Sequence, residues 1–273
     1  MRRSSPRAVP IPEKAAGTLT TTMDTPTIMI TTIMRTLGTI ITTPMTTAVD
    51  PAAALRLQTW LSPAFPIGGF SYSHGLEQAV ELGLAHDRAT AADWIGTVVR
   101  HGSGRSDAIL FAAAWRAADS GDLEPARLGA AFRATAELAL EAGQQGGSFV
   151  MAVRAVWPDP RLDRWARALA DDGTVPVLPV AVGTVCALQA IPLDVALPLY
   201  LQAFAAGLVS AAVKLVPLGQ TDGLRVQAAL EPVVAETAAA AIGADLDDLG
   251  SATPMLDLCS MLHETQYTKL FRS

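Results

Sequence analysis

The sequence predicts an all-α protein, and three observations carry that prediction. Half of the 273 residues are hydrophobic while only 5% are aromatic, so the core must be built from Ala, Leu and Val. Ala and Leu are among the strongest helix formers. Apolar residues also recur at three- and four-residue spacing along most of the chain, the period of a helix with one buried face. Finally, no segment alternates apolar and polar residues as a half-buried strand would, and no repeat of fixed period is visible. The expectation is a single globular domain of about ten helices over residues 51–273, with a disordered extension over residues 1–50.

The extension is set apart by composition. Between Thr18 and Thr47, fourteen of thirty positions are Thr, with Pro26, Gly38 and Pro44 among them. A low-complexity stretch of this kind lacks both helical period and the varied apolar bulk of a core. Its start is basic, but no continuous apolar run follows, so a secretory signal is not expected. A mitochondrial presequence stays open, because acids are few, although no Arg-studded amphipathic helix is present.

The domain opens at Asp50-Pro51, a good cap and first helical residue. Leu55, Leu57, Trp60 and Leu61 mark a first helix. Ser62 to Phe70 must be a loop, because Pro63, Pro66, Gly68 and Gly69 break helix and strand alike. Ser hydroxyls of Ser71-Tyr72-Ser73 are expected to cap a helix over 74–83. Thr90 caps the next, with Trp94, Ile95, Val98 and Val99. Ser106 begins another, with Ile109, Leu110 and Trp115. A long helix is expected from Asp122 through Leu128, Phe132, Leu138 and Glu141. Further helices follow over about 147–156, 160–170, 176–190, 192–215, 221–242 and 253–263.

Charge and cysteine content exclude several classes. The formal net charge is −6, and residues 51–273 hold 15 basic and 23 acidic groups. An acidic body does not neutralise phosphates, so nucleic acid is not an expected partner. The two cysteines, Cys186 and Cys259, imply no disulfide scaffold and fit a reducing compartment. From Gly173 to Val213 the only charge is Asp194, and two stretches approach the roughly 20 residues of a membrane span. Four prolines, Gln189 and Gln202 interrupt them, so a helix pair buried in the domain is the expected reading rather than a membrane anchor.

Catalytic motifs are missing. A P-loop needs Gly-Lys-Ser/Thr, and none of Lys14, Lys214 and Lys269 follows a glycine. Gly69-Phe70-Ser71-Tyr72-Ser73 falls short of a nucleophile elbow, because it ends in Ser and no strand precedes it. Cys259 and His263 stand four apart and could offer two ligands to a metal, with Glu264 beside them, but nothing completes a four-ligand site. A buried thiol beside a helix-terminal His is the expected alternative, and no bound metal or cofactor is expected. His74 reads as a polar helix-start residue. Lys214 closes a long apolar helix where the dipole favours a cation, yet it is the lone charge there, which makes it a candidate contact. The last residues, His263 to Ser273, place Tyr267, Leu270, Phe271 and Arg272 at a terminus. Such a tail reads equally well as a docking peptide and as a cap on the protein's own core.

Three blocks in order resemble the urease accessory protein UreF family. They are Ser62-Pro63-Ala64-Phe65-Pro66-Ile67-Gly68-Gly69-Phe70-Ser71-Tyr72-Ser73-His74-Gly75-Leu76-Glu77, then Ser210 to Asp222, then Asp248-Leu249-Gly250-Ser251-Ala252-Thr253-Pro254 running on to the tail. The likeness covers about residues 52–273. The family pattern often has Arg at 214 and 269 and Gln at 224, where this chain has Lys, Lys and Leu. The resemblance implies a non-enzymatic, cytoplasmic, all-α protein that tends to dimerise. It implies partnership with UreD (also called UreH) and the GTPase UreG, to deliver nickel to apo-urease, with GTP bound by the partner. It also selects docking for the tail, with His263, Glu264, Gln266, Tyr267, Lys269, Leu270, Phe271 and Arg272 as partner contacts. Lys214 and Gln220 join them from the middle block. Pro66, Gly68, Gly69, Phe70, Ser71, His74 and Glu77 form the motif loop.

Overall fold

The computed structural model describes residues 49–273. Of the Thr-rich extension expected over residues 1–50, residues 1–48 lie outside them. Among the described residues there are eleven α-helices, two short 3-10 turns and no strands. The helices are α1 Pro51–Trp60, α2 Leu76–Glu81, α3 Arg88–His101, α4 Ser103–Ala117, α5 Glu124–Ala131, α6 Ala136–Val156, α7 Pro160–Asp172, α8 Leu178–Leu188, α9 Leu193–Leu215, α10 Gln220–Ile242 and α11 Pro254–His263. The all-α expectation holds.

Local chemistry sets most of the boundaries. Asp50 accepts the Ala52 N–H at 3.2 Å and Pro51 opens α1, as its sequence requires. Asp159 and Pro160 repeat the device at α7, where Leu162, Trp165 and Leu169 form the buried stripe. Three expectations need correction. Asp87, not Thr90, caps α3; Thr90 sits three residues on and returns the bond in a reciprocal capping box. α4 starts at Ser103, and Ser106 is inside it, its hydroxyl donating to the Gly250 carbonyl at 3.1 Å. The long helix expected from Asp122 is two. α5 stops at Ala131, Thr135 caps α6 by accepting the Leu138 N–H, and Arg133 between them turns inward to Asp107 at 2.8 Å. α6 then runs through the helix expected separately at 147–156.

The domain is built around α4 and α8, which cross in direct backbone contact. Gly183 makes this possible, because a Cβ there would stand 2.5 Å from the Phe111 carbonyl oxygen. α6, α5 and α7 cover α8, while α3, α9 and α10 pack on α4. α9 is long and apolar enough to cross a membrane, but half of its most apolar window is buried inside this domain and its neighbour α8 has only 11 residues. The low-charge stretch is thus the interior helix pair that its composition suggested. At one end of the bundle, α2 lies on α11 and beside α9, and this brings the glycine-rich loop and the tail together.

Candidate functional site

The motif loop is a turn of unusual backbone. Gly68 is left-handed at φ 74°, and Gly69–Ser71 make one 3-10 turn that leaves Phe70 73% exposed. Pro66 is exposed, and Gly69 and Ser71 are half-buried. From Tyr72 the chain dives inward, and every residue to Ala79 is buried. His74 and Gly75 are both left-handed, at φ 58° and 77°. For a histidine this conformation costs on the order of 1–2 kcal/mol, so surrounding contacts must hold it. His74 Nε2 lies 2.6 Å from the Ser103 hydroxyl and Nδ1 lies 3.3 Å from Glu141 Oε2. The next turn lets α2 start against α11, where a Cβ on Gly75 would stand 3.4 Å from Leu256.

The tail folds back onto this loop. The Arg272 N–H donates to the Ser71 carbonyl and the Ser73 N–H donates to the Ser273 carbonyl, both at 2.8 Å. The Ser73 hydroxyl also donates to that carbonyl, while accepting the Glu77 N–H at 3.2 Å. The cap position of α2 is Gly75 and not the expected Ser, but the Ser73 hydroxyl two residues earlier still satisfies one first-turn N–H and doubles as a tail anchor. Glu77 is the centre of the assembly. Its Oε1 accepts the Leu270 N–H at 2.6 Å, and its Oε2 accepts the Phe271 N–H at 2.8 Å. Glu77 Oε2 also lies 3.3 Å from His263 Nε2, and His263 Nδ1 lies 2.7 Å from Glu137 Oε2. Lys269 Nζ completes the cluster at 3.0 Å from Glu137 Oε1.

A second carboxylate works beside the first. Glu141 Oε2 accepts the Ser273 hydroxyl at 2.7 Å as well as facing His74. Burial alone would raise the Glu141 carboxyl. The charge and hydrogen bond of His74, the Ser273 hydroxyl and the charge of Arg133 outweigh burial and hold it below the usual value. Burial likewise raises the Tyr72 hydroxyl, against the opposing charge of Arg272.

The residues picked from the sequence divide into two groups. His263 is fully buried and Phe271 packs into the core, with Lys214 Nζ 5.3 Å above its ring. In this structure these two residues tie the tail to its own domain and do not face outward. Tyr267, Leu270, Lys269, Arg272 and Glu264 are exposed, and Gln266 is half-buried with its amide donating to the Thr268 carbonyl at 2.9 Å. Lys214 is exposed at the end of α9; Gln220, exposed at the start of α10, takes no part in the network. Met255, Leu258, Met261 and Leu262 form an exposed apolar face on α11 next to the tail. Among the described residues no three His, Cys, Asp or Glu side chains converge as metal ligands. Cys259 is buried, which raises its thiol and disfavours the thiolate that a metal would need.

Sequence reasoning missed Glu137 and Glu141. The signal was available: Glu137, Glu141 and Gln145 stand at i, i+4 and i+8, one face of a helix, in a chain with only 17% charged residues. Ser103, Asp107 and Ser273 carried no such signal.

Comparison with known proteins places the assembly in context. The family model described as UreF matches residues 85–231. The chain belongs to the UreF family. It is 50% identical over 232 residues to the urease accessory protein UreF of Granulibacter bethesdensis, covering 84% of this chain and 97% of that protein. It is 49% identical over 247 residues to UreF of Rhodopseudomonas palustris strain BisA53, covering 84% of this chain and all of that protein. UreF of Bradyrhizobium diazoefficiens is 49% identical over 230 residues, covering 83% and 94%. Membership of the UreF family makes this a urease accessory protein.

Proposed function

We propose that this UreF-family chain is a non-catalytic scaffold of urease maturation in the cytoplasm. In this reading it holds a UreD-type partner (UreH in some nomenclatures) and the GTPase UreG in one complex. That complex passes nickel, the cargo, into apo-urease, with GTP bound by UreG, and the chain works as a homodimer. One observation supports the docking role above others. The tail is anchored at His263, Phe271 and Ser273, and this anchoring leaves Tyr267 and Leu270 outside, next to the exposed apolar face of α11. Aromatic and apolar anchors set beside such a face are what protein interfaces use. The anchored residues give the outer ones a fixed position, which lowers the ordering cost of binding.

Deleting the whole tail would test docking poorly, because it also strips Glu77 and Glu141 of their partners. The discriminating variant is Tyr267→Ala with Leu270→Asp, both at exposed positions. It should weaken capture of the UreD-type partner at least tenfold in co-purification while thermal unfolding of the free chain stays unchanged. Full capture by this variant would remove the tail from the docking surface. The scaffold reading as a whole is tested by nickel-dependent activation of apo-urease with and without this chain.

A further inference from the structure

His263 ends α11 with its side chain fully buried, and both of its ring nitrogens face carboxylates. Glu137 of α6 lies 2.7 Å from Nδ1, and Glu77 of α2 lies 3.3 Å from Nε2. An ionised carboxylate only accepts, and a neutral imidazole has one N–H and one lone pair. A neutral ring would therefore turn its lone pair toward one of the two acids in a site closed to water. The imidazolium donates on both sides. A proton on one of the acids would also settle the geometry, but their other contacts oppose it. Glu77 takes the main-chain N–H groups of Leu270 and Phe271, one on each oxygen, the pattern of an ionised acceptor. Glu137 faces Lys269 Nζ at 3.0 Å. Two carboxylates thus face one ammonium, and the imidazolium makes the cluster neutral. Unbalanced charge in a buried cluster is unfavourable.

The other titratable groups of the elements packed here are turned elsewhere. Glu141 of α6 and His74 of the motif loop face each other at 3.3 Å. Glu81 at the end of α2 is exposed, as is Glu264 after His263, and Cys259 is buried one turn earlier on α11. We propose that the proton on His263 is the catch of the tail. The imidazolium holds the Glu77 carboxylate where it accepts the Leu270 and Phe271 N–H groups, and loss of that proton frees the strip from Leu270 to Ser273. The closed tail holds the proton and the open tail gives it up. Closure is therefore strongest at lower pH and weakens as pH rises through the range where histidine loses its charge, about pH 5–8. In the open form Tyr267 and Leu270 lose their fixed place. The device goes beyond the scaffold reading and is measured on the free chain, so its failure and that of partner docking are separate results.

The test is amide hydrogen exchange of the full chain from about pH 6 to about pH 8, within the range where histidine changes charge. Expressing exchange at Leu270 and Phe271 as protection factors divides out its intrinsic pH dependence. Protection at these two amides should fall by up to about tenfold for each pH unit, the slope that one proton imposes. Val182, buried in α8, reports opening of the whole domain and should stay far better protected at every pH. His263→Gln keeps an amide donor but takes no proton, so its tail protection should be low and level across the range. Glu137→Gln removes one of the two facing acids and should flatten the slope; it decides the matter if His263→Gln fails to fold. Three results would overturn the proposal: level tail protection in the unaltered chain, an unchanged slope in these variants, or tail amides as well protected as Val182.

Discussion

Glu77 carries more of the site than any other side chain. One buried carboxylate accepts two main-chain N–H groups from the tail and faces the buried His263. Removing this acceptor leaves buried donors unpaired, at a cost of about 1–3 kcal/mol for each. Glu77→Ala should therefore destabilise the domain by about that amount in urea unfolding, and Glu77→Gln by clearly less. Amide exchange at Leu270 and Phe271 should rise in the alanine variant before any helix is affected. The sequence singled out Glu77 and His263 but not their partnership. They lie 186 residues apart, and no local pattern reports a contact of that range. His74 shows the same limit. It reads as a helix-start residue, whereas its left-handed backbone and its bonds to Ser103 and Glu141 exist only once three elements have met.

Among the elements, α8 and α4 meet with their backbones in contact. Gly183 lets the α8 backbone rest on Phe111, with space for no Cβ. Gly183→Ala should cost about 1–3 kcal/mol by overpacking, even though alanine is the better helix former, and circular dichroism should show the same helix content at a lower melting temperature. Helix existence was largely legible, because caps and apolar spacing are local. Asp50-Pro51 and Asp159-Pro160 state their helices outright. The break between α5 and α6 was not legible. Phe132 to Thr135 contains no Gly or Pro, and what turns the chain there is the pull of Arg133 toward Asp107 on another helix. The low charge of 174–213 was rightly read as an interior pair, since prolines and glutamines interrupt it and α4 supplies the matching surface.

For the whole molecule, the polar interior at the tail makes stability depend on acid. The folded Glu141 carboxyl sits below its ordinary value of about 4.5. A depressed carboxyl contributes its full stabilisation above that ordinary value and loses it as pH falls through the folded value. Unfolding free energy should thus decline below about pH 4.5, and Glu141→Gln should flatten that decline while lowering stability at pH 7. An unchanged acid profile in the variant would move the effect to other carboxylates. At this scale the family was readable from three ordered blocks, whereas the way two of them pack into each other was not. The tail read equally well as a docking peptide and as a cap on the core, because its apolar residues sit among polar ones without period. Only the folded domain shows that Phe271 points in while Tyr267 and Leu270 point out.

The pairing of Ser73 with Ser273 joins residues 200 positions apart. Synthesis proceeds from the N-terminus at about 5–20 residues per second. The motif loop is therefore made many seconds before the strip of backbone that covers it. Until then Glu77 and Glu141 lack the tail, and the exposed anchors have no fixed place. A chain stopped short or shifted in frame before residue 270 can form most of its helices and still present no finished surface. The closing contact thus forms only after every helix it rests on has been made.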